Sequence, residues 1–148
     1  MFRNCSRLES IEIPSSVTYI GSYAFYDCSS LTDIEIPANV TRIEEFTFRG
    51  CQNLKNIKIP SSVTSIEESA FHFCFILNDF DLPSSLDSIG VCAFYDCHNL
   101  TNIKIPSSVT YIGEDAFTNC KGLINVEIPS SITMIGEGAF SRCEKLVD

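Results

Sequence analysis

Apolar and polar residues recur along this chain with a period of 23 residues, and nothing is inserted or deleted between periods. One position of every period is proline and another is cysteine: Pro14, Pro37, Pro60, Pro83, Pro106 and Pro129, and Cys5, Cys28, Cys51, Cys74, Cys97, Cys120 and Cys143. The periods aligned under one another read L-x-x-I-x-I-P-x-x-V-x-x-I-G-x-x-A-F-x-x-C-x-x. Such self-similarity predicts a solenoid of near-identical stacked coils.

The first part of each period has the pattern of a short strand. Ile34 and Ile36 alternate with Asp33 and Glu35, which is the period of two expected when one face of a strand is buried. Equivalent strands are expected at 11–13, 57–59, 80–82, 103–105 and 126–128. Because successive coils contribute them, the six strands should run parallel in one sheet, and each should end at its proline.

The second part of each period, such as residues 112–117, is polar and then apolar, which predicts a short α or 3₁₀ segment. Acidic residues crowd the start of this segment at Glu44, Glu67, Glu114 and Glu137. They can stabilise the start of a helix through its dipole, or they can form an acidic docking face.

Seven columns of equivalent residues should point inward and form one continuous core: those of Leu31, Ile34, Ile36, Val40, Ile43, Phe48 and Cys51. Parallel Cβ vectors and an odd number of cysteines in their column favour buried free thiols over disulfides between coils or a metal site. Cys92 lies outside that column, and we expect it to be the accessible thiol.

The unit LTNIKIPSSVTYIGEDAFTNC resembles the BspA-like, Treponema-type class of leucine-rich repeats. The resemblance covers residues 1–148 as a single domain of about six repeats. It implies an α/β repeat solenoid, a right-handed superhelix with a parallel β-sheet on the concave face and short α or 3₁₀ segments on the convex side. It also implies recognition, as in surface adhesins or interaction proteins, without naming a ligand.

Charge and composition narrow the classes of partner. The chain has 148 residues, a formal net charge of -9 and ten scattered basic residues, so it lacks the basic face that nucleic acid or anionic lipid requires. No apolar stretch is long enough for membrane insertion, and the N-terminus lacks the apolar core of a signal peptide. The chain as given points to the cytoplasm, whereas the resemblance implies the cell surface.

One period departs from the pattern in a way that predicts a contact site. Phe73, Phe75 and Ile76 replace residues that are polar in most other periods. An exposed apolar patch is therefore expected beside His72, Tyr95 and His98, and such patches mark interaction sites. The alternative is that this loop folds inward and enlarges the core, which Phe80 in place of isoleucine would accommodate.

A second candidate surface is the outward column of the strand face, which family resemblance makes concave. From residue 35 onward its charges alternate through Glu35, Lys58, Asp81, Lys104 and Glu127. The column is either a cross-strand ladder that relieves repulsion or a charge pattern for a protein ligand.

The repeat argues against catalysis, because most carboxylates and hydroxyls lie in columns of similar residues and no phosphate loop or metal-ligand spacing occurs. We expect no enzyme activity, cofactor or metal. The function expected is a protein–protein interaction or assembly scaffold, including self-association. The alternative is a cell-surface adhesin that binds host or matrix proteins. Both ends fall within a repeat and lack a cap, which predicts a homo-oligomer or a fragment of a longer array.

Overall fold

The computed structural model describes residues 2–147, and its regular elements are short parallel strands that belong to two ladders. Four strands of three residues overlap the I-x-I motif: β1 (Asp33–Glu35), β3 (Asn56–Lys58), β6 (Asn102–Lys104) and β8 (Asn125–Glu127). Five strands of two residues lie at the end of the V-x-x-I motif: β2 (Arg42–Ile43), β4 (Ser65–Ile66), β5 (Ser88–Ile89), β7 (Tyr111–Ile112) and β9 (Met134–Ile135).

The first ladder confirms the parallel, in-register stacking of coils, since Ile34 pairs with Ile57 and Ile103 with Val126. The prediction of one six-stranded sheet is wrong. Strand β1 pairs only with β3 and β6 only with β8, each strand begins one residue earlier than expected, and 80–82 contains no strand. At 11–13 no strand forms either, and a single bridge joins Ser10 to Asp33.

Phe80 accounts for the interruption of this ladder. Its half-buried ring lies 6.4 Å from the Phe71 ring and 5.8 Å from the Phe94 ring, in a position that isoleucine or valine fills in other coils. A side chain larger than its neighbours in a packed column forces backbone adjustment, and no strand forms at 80–82. The Asp79 carboxylate accepts hydrogen bonds from the backbone N–H groups of Thr101 at 2.6 Å and Asn102 at 3.1 Å. In other coils the equivalent N–H groups donate to a backbone carbonyl of the preceding coil.

The second ladder runs without interruption through β2, β4, β5, β7 and β9. The same apolar column supplies each rung, so Ile43 lies on Ile66 and Ile89 lies on Ile112. The sequence pattern did not indicate this ladder, because two residues are too few to show a period of two.

The predicted α or 3₁₀ segments are absent: no helix occurs in residues 2–147, and hence none that could span a membrane. Six turn segments take their place, at 22–27, 45–50, 68–73, 91–96, 114–119 and 137–142. Two residues of each segment from 22–27 to 114–119 have positive φ, such as Ser69 at 53° and Phe73 at 64°. Alternate N–H groups donate to the next coil, as Phe71 does to the Ala93 carbonyl at 2.8 Å, which a helix does not permit.

The core is a set of ladders of like side chains, as predicted. Leu31, Val40 and Ile43 are at most 1% exposed, and Phe48 and Cys51 are fully buried. One column of seven phenylalanines stacks along the axis with ring centroids 5.2 to 5.4 Å apart. Stacking of identical rings keeps successive coils in one register, because a shift of one residue would remove every ring from its neighbour.

Candidate functional site

Six residues predicted to form an apolar patch lie together on the protein surface, and we call them the aromatic cluster: His72, Phe73, Phe75, Ile76, Tyr95 and His98. The ring of His72 lies 4.1 Å from Phe73 and 4.7 Å from Tyr95. The Phe75 ring lies 5.8 Å from Phe73 and stacks on His98 at 5.3 Å. Ile76 is 40% exposed and the rings are half-buried, so the segment forms a surface.

Phe73 has φ at 64°, in the left-handed region that its position adopts in every coil from Asn4 to Arg142. Equivalent positions in the neighbouring coils carry Gly50 and Asp96, and glycine, aspartate and asparagine tolerate this conformation best. A residue with a Cβ pays roughly 1–2 kcal/mol to adopt it. The Phe73 ring is therefore kept at this position against a local conformational preference.

The aromatic surface extends beyond the residues predicted from sequence. The Arg49 guanidinium lies 5.6 Å from the Phe73 ring centroid, and it also lies over the rings of Phe46 and Tyr26. Arg3 lies in turn over Tyr26 and Tyr23. We call the surface of the turn segments, with Arg3, the turn face. The sequence contains a pattern that indicates this surface: one column of equivalent positions holds basic and aromatic residues in turn, namely Arg3, Tyr26, Arg49, His72 and Tyr95.

His72 is the partly buried titratable group of the cluster. Burial, followed by the nearby Arg49 charge, lowers the pKa of His72 to about 4, and Asp96 opposes this more weakly. The Nδ1 atom lies 3.5 Å from the Ser69 hydroxyl, and the buried Nε2 atom has no hydrogen-bond partner among the described residues. The imidazole is therefore neutral at physiological pH and acts as an aromatic ring.

His98 connects the aromatic cluster to a small polar group. Its Nε2 atom lies 3.1 Å from the Asp96 carboxylate and 3.4 Å from the Asn119 amide nitrogen, which also donates to Asp96. These contacts fix the imidazole plane on which Phe75 stacks. Within residues 2–147 no group of three or more His, Cys, Asp or Glu is arranged to hold a metal ion.

The charged column of the strand face is only partly assembled. Lys58 pairs with Glu35 at 2.7 Å, and both side chains are largely exposed. In the described part of the chain, Lys104 has no carboxylate within 4.0 Å, although Glu127 is its register partner. Asp81 lies in the interruption between β3 and β6 and joins no ion pair there. The expected ladder of alternating pairs is thus reduced to one surface pair, worth about 0.2–1 kcal/mol.

A trough of about 840 Å³ lies beside this column, between the Ser10 and Asn56 positions of the strand face. The Asn56 amide donates to Asp33 at 2.5 Å, and this hydrogen bond holds the pKa of the Asp33 carboxyl below its usual value. Asn125 likewise donates to Asn102 at 3.1 Å. These polar side chains bond to one another along the column, so part of their hydrogen-bonding capacity is not free for a ligand.

All eight cysteines are free thiols, and five of the seven in the column are buried, as predicted. The expectation that Cys92 is the accessible thiol is wrong: Cys92 is half-buried, whereas Cys5, at the start of the column, is exposed. Burial raises the pKa of Cys92, as do the carboxylates of Asp115, Glu68 and Glu114, while Arg49 opposes them. Cys92 is therefore a protonated thiol inside an acidic part of the turn face.

Sequence comparison agrees with the repeat. A BspA-type leucine-rich repeat region, present in six copies, matches residues 1–82 and 64–148. The match confirms the resemblance inferred from the repeat unit. No protein of curated function matches the chain.

Several solved structures are similar to this chain in both fold and sequence. A leucine-rich repeat protein from Bacteroides ovatus is 40% identical with a TM-score of 0.84, over 90% of this chain and 37% of that protein. A T. pallidum leucine-rich repeat protein is 33% identical with a TM-score of 0.86, over 91% of this chain and 65% of that one. A leucine-rich cell surface protein from Faecalibacterium prausnitzii is 29% identical with a TM-score of 0.52, over 98% and 54%. The chain thus spans less than two thirds of these relatives.

Proposed function

The chain belongs to the BspA-type leucine-rich repeat family, and on that premise we propose that it is a non-enzymatic scaffold that binds another protein through the aromatic cluster. Repeat proteins of this kind present side chains on a rigid surface at steps of about 5 Å. The partner proposed is a protein, because aromatic rings and arginine are the residues that dominate protein interfaces.

One observation carries the proposal: Phe73 places an aromatic ring at a left-handed surface position that asparagine, aspartate, glycine or arginine occupies in the other coils. A ring needed only for packing would not require this position, because the core column already contains Phe71 in the same coil. Strained residues persist where the surrounding structure enforces them, and they cluster at binding sites.

The cluster is also preorganised. Phe73 is held between the rings of His72 and Phe75 and lies under the Arg49 guanidinium at 5.6 Å. Side chains that are already fixed lose little conformational entropy when a partner binds, so more of the contact energy becomes affinity.

The strand face with Glu35, Lys58, Asp81, Lys104 and Glu127 is proposed as a second, weaker contact surface. Its support is Lys104, which has no ion pair within the described residues and so presents a charge to a ligand. Exposed charges of this kind select partners and speed association more than they add affinity.

The test uses a photo-crosslinking residue, p-benzoylphenylalanine, placed at Ile76 in the cluster or at Tyr19 as a control. Tyr19 is 66% exposed and lies at the position equivalent to Arg42, on a different side of the coil. Irradiation in the cells that make the protein should give a defined protein adduct from position 76 and not from position 19. No adduct at 76, or the same adducts from both positions, would contradict the proposal.

A second candidate function is adhesion at the cell surface. It is favoured by the similarity to the Faecalibacterium protein, which is described as a leucine-rich cell surface protein. Treatment of intact cells with protease tests it: a surface adhesin is degraded while cytoplasmic proteins survive. Full protection of the chain in intact cells, with degradation after lysis, would eliminate this candidate.

A further inference from the structure

Arg49 is a half-buried cation that has no acidic partner in the described part of the chain. No carboxylate among residues 2–147 lies within 4.0 Å of its guanidinium, which donates no hydrogen bond to them either. The side-chain nitrogen and oxygen atoms that are buried there without a partner are His72 Nε2 and Ser108 Oγ, so the guanidinium nitrogens reach solvent. The planar fork of N–H donors of Arg49 is therefore available to a ligand.

Three aromatic rings hold this guanidinium in place. It lies 5.9 Å from the Tyr26 ring centroid, 5.7 Å from that of Phe46 and 5.6 Å from that of Phe73. An arginine fixed against rings keeps its fork in one orientation, so less conformational entropy is lost when the donors bind a ligand. Arg49 is thus preorganised beside the aromatic cluster.

The surrounding rings present their edges more than their faces. Tyr23 and Phe46 stack with 10° between their planes and 4.8 Å between centroids, and Phe75 and His98 with 14° and 5.3 Å. Each ring of such a pair covers one face of the other. A ring edge carries partial positive charge and attracts the oxygen atoms of a carboxylate or carbonyl group. A nucleobase, by contrast, needs a free ring face on which to stack.

The sign of the charge changes over a short distance around Arg49. Burial first, and then the Arg49 charge, lowers the pKa of His72, and Asp96 opposes this more weakly, so positive charge outweighs negative charge at His72. Asp27 and Glu45 lie on the adjoining part of the turn face. A second acidic group on a ligand would meet like charge there. The surface therefore suits a single carboxylate and disfavours a run of acidic residues.

We propose that Arg49 binds one aspartate or glutamate carboxylate of the partner protein, while an adjacent apolar side chain of the partner packs on Phe73, Phe75 and Ile76. Paired N–H···O hydrogen bonds from the guanidinium hold the carboxylate, and the apolar contact anchors the segment. Arg49 and the Phe73 ring are 5.6 Å apart, which neighbouring residues of one segment can span. The inference rests on the proposed function, because it names the partner chemistry of the same aromatic cluster.

A selection from displayed random dodecapeptides tests the inference on the whole folded protein. Wild type is the target, and Phe73→Asn is used to remove peptides that bind elsewhere on the surface. We expect the remaining peptides to share one aspartate or glutamate beside an aromatic or branched aliphatic residue, and to lack runs of acidic residues.

The peptide that binds best is then synthesised with its acidic residue and with the corresponding amide, and fluorescence anisotropy gives the dissociation constants. Arg49→Gln should weaken binding of the acidic peptide roughly 10- to 100-fold, because a charge-assisted pair is lost. The amide peptide should bind wild type about as weakly, and Arg49→Gln should weaken it no further. Arg49→Tyr should behave like Arg49→Gln, and it introduces the residue that Tyr26 and Tyr95 place at equivalent positions.

Arg42→Gln is the matched control: it removes the same charge on a different side of the coil and should leave the affinity unchanged. Circular dichroism verifies that each variant is folded. Peptides that require Phe73 but share no acidic residue, or that bind Arg49→Gln as tightly as wild type, would overturn this inference and leave the proposed function standing. If no selected peptide requires Phe73, the aromatic cluster is not the contact surface and both proposals fail.

Discussion

The thiol of Cys74 donates a hydrogen bond to the backbone carbonyl oxygen of Phe48, with 3.3 Å between sulfur and oxygen. The same oxygen accepts the N–H of Cys51 at 3.1 Å, so it joins two coils. This contact repeats for every cysteine of the column from Cys28 to Cys143. It explains the cysteine column physically: the side chain is small and apolar enough for the core and still supplies a donor.

Replacement of Cys74 should therefore cost stability without any disulfide being involved. Cys74→Ala leaves a cavity and removes one donor to Phe48, and we expect the free energy of unfolding to fall by about 2 kcal/mol. Cys5→Ala, at the exposed end of the same column, should change it by less than about 0.5 kcal/mol. Urea denaturation under reducing conditions measures both. Equal effects at the two sites would contradict the role given to the buried thiol.

Phe73→Asn separates a binding role from a packing role. Asparagine tolerates the left-handed conformation, so the free energy of unfolding should stay within about 0.5 kcal/mol of wild type or rise by up to about 1 kcal/mol. Phe71→Ala, in the core column of the same coil, should lower it by about 3–5 kcal/mol. If Phe73→Asn destabilises the protein as much as Phe71→Ala does, the ring belongs to the core and not to a contact surface.

His72 should make stability depend on pH. Its folded-state pKa is lowered to about 4, whereas histidine in an unfolded chain titrates near 6.5. Between these values the unfolded chain binds a proton that the folded chain does not, so stability is lost as pH falls through this window. Partial exposure limits the loss to about 1–2 kcal/mol.

His72→Tyr tests this dependence, because Tyr26 and Tyr95 occupy equivalent positions and tyrosine does not titrate below pH 7. The free energy of unfolding is measured at pH 7.5 and at pH 4.5. The variant should lose about 1–2 kcal/mol less than wild type between the two. Identical losses would show that carboxylates alone cause the acid sensitivity.

The interruption of the first ladder should be visible in amide hydrogen exchange. Residues 80–82 lack the strand pairing of β3 and β6, so their amides should exchange faster than those of Asn102–Lys104. Phe80→Ile restores the residue type of the other coils and should slow exchange at 80–82 by roughly tenfold. Exchange at β4 should not change. Slow exchange at 80–82 in the wild type would contradict the assignment.

Much of the fold follows from the sequence because a 23-residue period without insertions forces equivalent residues into register. The buried columns of Leu31, Ile34 and Phe48 were predictable, since each position repeats the same chemistry in every coil. The helical segments were predicted wrongly. An apolar pair such as Ala116-Phe117 after acidic residues fits a helix as well as a turn. Hydrogen bonds between coils stabilise the turn, and a local sequence pattern does not show them.

The candidate surface was predictable in part for the same reason. Phe73, Phe75 and Ile76 stand out because they break a column, and the structure places them together with His72, Tyr95 and His98. Arg49 was missed because its importance lies in contacts with rings from two other coils. The alternating charge ladder is absent at Asp81, because no strand forms at 80–82 to hold this residue in register with Lys58 and Lys104.

The most direct test of the central claim compares the affinity of wild type and of Phe73→Asn for the protein captured at position 76, a second copy of the chain included. Unfolding of both proteins is measured in the same buffer. We expect Phe73→Asn to lose affinity at least about tenfold, because a central aromatic contact is removed, and to keep a free energy of unfolding equal to or above that of wild type. Unchanged affinity in a fully folded variant would contradict the claim that the aromatic cluster is the contact surface.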